Sequence, residues 1–261
     1  MLTASRAPLR PASTLYLASV SAPEIALCIR EAAEYLRPEW LKQSFFFTCP
    51  PGLELPTPPV PTSEEDNKSF DRTLTAYCAA YNVDTSNICY TVSYDVEDAP
   101  LFALLPPANI RRPNYSVLEL LALLRALRYN ESFGSISFRG ISLEVLHSLR
   151  DYYGTDHVAA TTRSGLTVDI QGQGQKSLLI QELRALAVKS EKLRRMDFSG
   201  CIERKPQDDD TDVKDPGCEI VEALFPLCRK QLTNLDWIIL SGIELGETDL
   251  DYLGSYAPWE S

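Results

Sequence analysis

The chain has 261 residues, 44% of them hydrophobic, with 25 Lys plus Arg against 36 Asp plus Glu and a formal net charge of −11. That length holds one large domain, or one domain and part of another, and the apolar fraction is enough for a sizeable core. The acidic balance argues against nucleic acid and against nonspecific docking on anionic lipid, and no apolar run approaches the roughly 18–20 residues that span a bilayer.

The seven cysteines, Cys28, Cys49, Cys78, Cys89, Cys201, Cys218 and Cys228, include no C-x2-C pair, and the histidines are only His147 and His157. Structural zinc needs several such ligands at close spacing, so no metal is expected. An odd cysteine count without a secretory signal suits a reducing compartment, and the expected location is cytoplasmic, at the cortex or cytoskeleton. The first 23 residues carry Arg6 and Arg10, several hydroxyl residues and no acid. That composition is shared by transit peptides and by plain chain starts, including a start inside a longer protein.

"STLYLASV" (Ser13–Val20) alternates like a strand, and "SAPEIALCIREAAEYLRPEW" follows as a helix. Ser21 is its expected N-cap, Pro23 suits the first turn, and Ile25, Cys28, Ile29, Ala32 and Leu36 form an apolar stripe that Pro38 ends. The stretch 49–69 carries six prolines and then an acidic polar run, which reads as a linker. "FDRTLTAYCAAYNV" (Phe70–Val83) reads as a short helix and "NICYTVSYDVEDAPLFAL" has strand character.

From there a pattern recurs. "FGSISFRGISL", "LRRMDFSGCIE" and "LDWIILSGIEL" fit the template L-x-x-L-x-L-x-x-(N/C)-x-L, the strand-and-turn half of a leucine-rich repeat. The apolar slots hold Phe133, Ile136, Phe138, Ile141 and Leu143; Leu193, Met196, Phe198 and Cys201; and Leu235, Ile238, Leu240, Ile243 and Leu245. Helices are expected over 142–153, 217–230 and 247–256, and a further repeat is expected at "HVAATTRSGLTV", before the amphipathic "QKSLLIQELRALAVKSEK". "LFALLPPANI" with "SVLELLALLRAL" reads as an opening repeat, and the polar 203–217 as an inserted loop. The fold expected is α/β: a leucine-rich-repeat (ribonuclease-inhibitor-like) horseshoe of four or five repeats over 70–261, after a strand–helix remnant over 1–48 and the linker over 49–69. Such units bury one face of each strand and helix against stacked neighbours.

Side chains alternate along a strand, so the residues between the buried slots face outward. These are Ser135, Ser137 and Arg139; Ala159, Thr161 and Arg163; Arg195, Asp197 and Ser199; and Trp237, Ile239 and Ser241. The protein-binding candidates are Ser135, Ser137, Arg139, Arg163, Arg195, Asp197, Trp237 and Ile239 on the concave face. Arg139 and Arg163 are expected in equivalent columns with Arg195 one column away, a basic strip suited to an acidic peptide, unless they are unrelated surface arginines. Trp237 and Ile239 are large apolar groups that either meet a partner or lie under a further repeat, the linker or an end cap.

At "ALRYNESFGSISFRGISL" the sequence resembles the CARMIL family, through Ala126, Leu127, Tyr129, Asn130 and Phe133. Tyr77, Cys78, Asp95 and Val96 match that family's linker segment. "LYLASVSAPEIALCIREAAEYLRPEW" resembles the last strand and helix of its pleckstrin-homology-like domain. The resemblance implies a non-catalytic scaffold regulating actin capping protein, with partners in the actin machinery. Most of the lipid-binding sandwich and the capping-protein-binding tail have no counterpart here, so the chain reads as a fragment or a degenerate member. Membrane association and direct capping-protein binding are therefore not carried over to any residue. The alternative is a leucine-rich-repeat adaptor in ubiquitin-ligase or small-GTPase regulation.

No catalytic residue and no cofactor is expected, since GxxxxGK[ST], HExxH and GxSxG are all missing. His147 reads as a helix-face residue and His157 as a polar residue at a repeat edge. An enzyme reading gains only if either sits in a cleft beside a carboxylate or thiol. Asp208–Asp210 lack the glycine and terminal glutamate of a calcium loop. "GQGQ" lacks the lysine and hydroxyl of a phosphate cradle, and Cys201 is expected as a small buried side chain under its turn.

Overall fold

A computed structural model describes residues 2–3, 14–15, 18–36, 63–129, 132–147, 149–151, 161–162, 164–169, 175–203 and 217–254. It is mixed α/β. Strands β1 (Leu2–Thr3) and β2 (Thr14–Leu15) pair antiparallel and are followed by α1 (Ala22–Leu36). The helix begins directly after Ser21, where its N-cap is expected, and runs to Leu36. Among the described residues of the expected strand over 13–20, Thr14–Leu15 form a strand and 18–20 do not.

Helix α2 spans Ser63–Tyr81 rather than starting at Phe70. The acidic run 63–69 contains no proline or glycine, and acidic residues suit the positive end of a helix, so nothing stops the helix from reaching back into it. A hairpin follows, β3 (Tyr90–Ser93) antiparallel to β4 (Leu101–Leu104). Then come α3 (Val117–Tyr129), β5 (Ser135–Ser137), α4 (Leu178–Lys189), β6 (Arg195–Asp197), α5 (Ile220–Arg229), β7 (Trp237–Ile239) and α6 (Glu247–Gly254).

The sheet order is β3-β4-β5-β6-β7, with β4 through β7 parallel. Helices α2 to α6 form the second layer, each packed on the next. Phe102, Ile136, Met196 and Ile238 stand in one register and point between the layers. Phe138 stacks on Phe198 at 5.7 Å.

Strands β5, β6 and β7 each end in the same turn. Ile141 N–H donates to Phe138 O at 2.9 Å, Cys201 N–H to Phe198 O at 3.0 Å and Ile243 N–H to Leu240 O at 3.1 Å. Gly140, Gly200 and Gly242 hold the third position with φ of 71°, 66° and 74°. An i→i+3 turn with positive φ there asks for glycine. The Cys201 thiol, buried as expected, donates to Phe138 O across the gap at 2.9 Å.

One end of the sheet is capped by β3 and α2, where Phe70 meets Tyr90, Phe102 and Phe133 edge-on with centroids 5.2–5.4 Å apart. Helix α3 opens with a capping box: Ser116 N–H donates to Glu119 Oε2 at 2.6 Å, and Glu119 N–H reaches Ser116 Oγ at 3.4 Å. Buried charge ties α2, α3 and α4 together. Glu182 Oε1 accepts from Arg125 Nε at 2.9 Å and Nη2 at 2.7 Å, Arg125 Nη1 donates to Tyr81 Oη at 2.7 Å, and Arg128 Nη1 lies 3.5 Å from Glu182 Oε2. Burial works against the Arg125 charge, but Glu182 and Tyr81 outweigh it and hold the guanidinium pKa above the ordinary arginine value.

Two expectations fail here. The helix over 142–153 is, within the described residues, a single 3-10 turn at Glu144–Leu146. Before it Leu143 N–H bonds across to Cys201 O at 2.9 Å, so tertiary pairing overrides a helix-like apolar pattern. The strand expected at 157–166 does not stand between β5 and β6, which pair directly with each other. Thr161 and Thr167 instead form an isolated antiparallel bridge closed by a turn in which Gly165 has φ 90°. His157, Ala159, Arg163, the glycines of "GQGQ" and Asp208–Asp210 lie outside the described residues.

Candidate functional site

The outer face of the sheet carries three columns of side chains. Leu101, Ser135, Arg195 and Trp237 form the first, and Ala103, Ser137, Asp197 and Ile239 the second. Arg139, Ser199 and Ser241 form the third, since Gly140 N–H bonds Ser199 O at 2.7 Å and Gly200 N–H bonds Ser241 O at 3.0 Å.

The candidates divide by what they touch. Ser135 is a correction: it is 1% exposed and its hydroxyl donates to Asp98 O at 2.9 Å. The β3–β4 loop lies over it, and a Cβ at neighbouring Gly134 would run into the same carbonyl. Ser137 and Asp197 hold their own strand ends. Ser137 Oγ accepts from Arg139 N at 3.3 Å, and Asp197 Oδ1 accepts from Ser199 N at 2.9 Å and Ser199 Oγ at 2.6 Å. These are local side-chain-to-backbone turns that leave little polar capacity for a partner.

Arg139 is exposed, Arg195 half-buried, and neither has an ion-pair partner among the described residues. They stand two columns apart, with the Asp197 column between them, rather than one, so the basic strip is interrupted by a carboxylate. Trp237 is 62% exposed and Ile239 half-buried, at the β7 side of the same face. Beside them Arg194 Nη1 lies 3.5 Å from Asp236 Oδ2, an exposed pair of small energetic weight that sequence spacing did not single out. The face therefore offers two unpaired guanidinium forks and an aromatic–aliphatic pair.

A second cluster lies between the layers' ends. Glu219, at φ 62° just before α5, accepts from the Ser177 hydroxyl, and His147 Nε2 stands 3.8 Å from the same Glu219 Oε2. Burial raises the Glu219 pKa; Ser177, His147 and Lys176 oppose that, while Glu222 adds to it. His147 thus does sit beside a carboxylate, on the 3-10 turn's end rather than on a helix. The order is serine–carboxylate–histidine, so the hydroxyl proton points at the carboxylate. A nucleophile needs the imidazole next to the hydroxyl, and that relay is not built here. Ser177 is also the N-cap of α4, accepting from Ile180 N at 3.3 Å, which is a structural duty. Glu219 and Ser177 were missed in the sequence because residues 42 apart meet only through the stacking of α4 and α5. Among the described residues no group of three or more His, Cys, Asp or Glu is placed to hold a metal.

Compared with known proteins, residues 3–63 match a family model described as the second PH domain in LRR-containing protein. That match covers α1 and stops at the first residue of α2, before the sheet begins. It is consistent with a PH–leucine-rich-repeat architecture and fits a protein-interaction scaffold. No curated protein and no solved structure matches.

Proposed function

We propose that the chain is a non-catalytic interaction scaffold of CARMIL type, in which a pleckstrin-homology-like module precedes a leucine-rich-repeat horseshoe that docks proteins of the actin machinery. Three parallel strands in register, each closed by the same glycine turn, with apolar slots inward and helices behind, support the repeat reading. The matched family description, which sets a PH domain within an LRR-containing protein, supports the order of modules. The actin assignment rests on the resemblance at 126–133 and 77–96.

The observation that carries the docking role is Trp237, 62% exposed, in register with Arg195 on a sheet face with Ile239 alongside. An aromatic group beside guanidinium forks is the composition that dominates binding energy at protein interfaces. The partner segment expected is acidic with an apolar anchor, seated over Arg139, Arg195, Trp237 and Ile239. The test is affinity capture by the full chain, comparing wild type with Trp237→Ala and Arg139→Glu, each checked for folding by circular dichroism. Loss of capping-protein or actin-assembly partners by both variants is the expected result. Equal recovery of every partner overturns the docking face. Selective loss of ubiquitin-ligase or small-GTPase components keeps the face and replaces the actin assignment.

A further inference from the structure

The outer face of the sheet carries a wall. Residues 94–100 join β3 to β4 and fold over the start of β5. Pro100 O accepts from Gly134 N at 3.1 Å and from Ser135 N at 3.3 Å, and Asp98 O accepts from the Ser135 hydroxyl at 2.9 Å. Ser135 is an outward position by alternation, so the loop that holds its hydroxyl lies on the outer face. Asp98 takes φ 58°, and only the missing Cβ of Gly134 lets its carbonyl close in. The loop is thus fixed to the face at several points.

What the wall presents is acidic and partly apolar. Asp95 and Glu97 are exposed and have no ion-pair partner among the described residues. Tyr94 and Val96, which alternate with them, are 55% and 41% exposed. The next strand over carries the opposite sign. Half-buried Arg195 stands in register with Ser135, and Trp237 stands one strand further. The wall's acids and the Arg195 guanidinium do not pair with each other, so both signs stay available on one face.

The spacing suits an extended chain. Neighbouring strands lie about 4.8 Å apart, so acid wall, guanidinium and indole follow one another across β5, β6 and β7. An extended segment puts every second side chain on one side, roughly 6.6 Å apart. Laid obliquely across the strands, it brings alternate residues onto the three features in turn. A wholly acidic segment meets like charge at Asp95 and Glu97, and a wholly basic one meets it at Arg195.

We propose that the docking face is charge-polarised and takes an extended segment of another protein that carries both signs. A Lys or Arg of that segment lies over Asp95 and Glu97, an Asp or Glu two residues on meets Arg195, and an aromatic group two residues further packs on Trp237. This rests on the docking role proposed above and deepens it by adding the cation, which sets the direction in which the segment crosses the strands. The β3–β4 loop is then part of the binding surface, with Tyr94 and Val96 lying along the stem of the bound cation.

The test uses the full chain and three fluorescein-labelled peptides with the cores Lys-Ser-Glu-Ser-Phe, Glu-Ser-Glu-Ser-Phe and Lys-Ser-Lys-Ser-Phe, followed by fluorescence anisotropy. The mixed peptide is expected to bind tightest, by about fivefold or more over either counterpart. Asp95→Lys/Glu97→Lys is expected to make the all-acidic peptide the tightest. The same charge change on α1, Glu24→Lys/Glu31→Lys, is expected to leave the order unchanged; circular dichroism checks the folding of each variant. If the all-acidic peptide binds the wild type as tightly as the mixed one, and Trp237→Ala weakens both, the docking face stands and its polarity is overturned. If no peptide binds, or neither Trp237→Ala nor Arg195→Glu weakens any of them, the docking role falls together with the polarity. If the basic peptide binds tightest and the two charge pairs weaken it equally, attraction to net charge explains the binding and overturns the proposal. A concentration-dependent dimer in sedimentation, broken by Arg195→Glu, assigns the face to a second copy and also overturns it.

Discussion

Removing the Glu182 carboxylate gives the sharpest check on how the helical layer is held. Glu182 is 1% exposed and accepts two guanidinium bonds from Arg125 on one oxygen, while its other oxygen faces Arg128 at 3.5 Å. In Glu182→Ala, Arg125 keeps Tyr81 at 2.7 Å and Asp151 at 3.7 Å, whereas Arg128 keeps the Tyr129 ring at 4.9 Å. Both cations remain buried, and breaking a buried pair from one side costs about 3–5 kcal/mol. Glu182→Gln keeps one acceptor oxygen for Arg125 but not the charge, so its cost is the difference between charged and neutral hydrogen bonds, about 1–2 kcal/mol. Urea unfolding followed by circular dichroism measures both, and the melting point is expected to fall about 2–4 °C per kcal/mol. If both variants lose less than about 1 kcal/mol, or Gln costs as much as Ala, the network is not a joint of this kind.

Three further outcomes follow from particular sites. Burial raises the folded-state pKa of Glu219 above its ordinary value. The folded state therefore holds that proton more tightly, and this contribution to stability is present at low pH and lost as pH rises from the ordinary carboxylate range through the raised value. Glu219→Gln should flatten that part of the stability–pH curve, measured by urea midpoints from pH 4 to 8; an unchanged slope refutes it. Gly217 has φ 71° and a Cβ there would fall on the Asp249 carboxylate, whereas Gly140, φ 71°, has open space around it. Gly140→Ala should cost about 1–2 kcal/mol for the backbone alone, and Gly217→Ala clearly more, by the same unfolding assay. Burial pushes the Cys201 thiol up to about 12 and the Cys218 thiol up to about 11. Mass-resolved alkylation at pH 8 should label exposed Cys28 first and reach Cys201 and Cys218 only on unfolding.

Part of this molecule was legible in residue order. Ser21 directly precedes α1, and the apolar periods in "SVLELLALLRAL" and "QKSLLIQELRALAVKSEK" mark α3 and α4, because those signals act within a turn or two of helix. The capping box at Ser116 and Glu119 carried the same kind of signal and was passed over. The strand template placed the slots of β5, β6 and β7, since alternation is a local constraint, whereas the glycines of the turns after them carried an equally local signal and were passed over.

What only the tertiary structure decided is which of those outward residues face open solvent. Ser135 has the same alternation as Trp237, yet one lies under the Asp98 carbonyl and the other is 62% exposed, because a loop folded back from the β3–β4 hairpin covers the first and nothing described covers the second. The 157–166 segment matched the template loosely, and direct pairing of β5 with β6 leaves no place for it between them. Ser177, Glu219 and His147 meet for a related reason: their distances are set by the stacking of units, which residue spacing along the chain does not encode. The sequence by itself determined periods, caps and turns, where energy is spent between near neighbours. Neighbour order in the sheet, and therefore the exposed face, was decided by long-range packing of layers against each other.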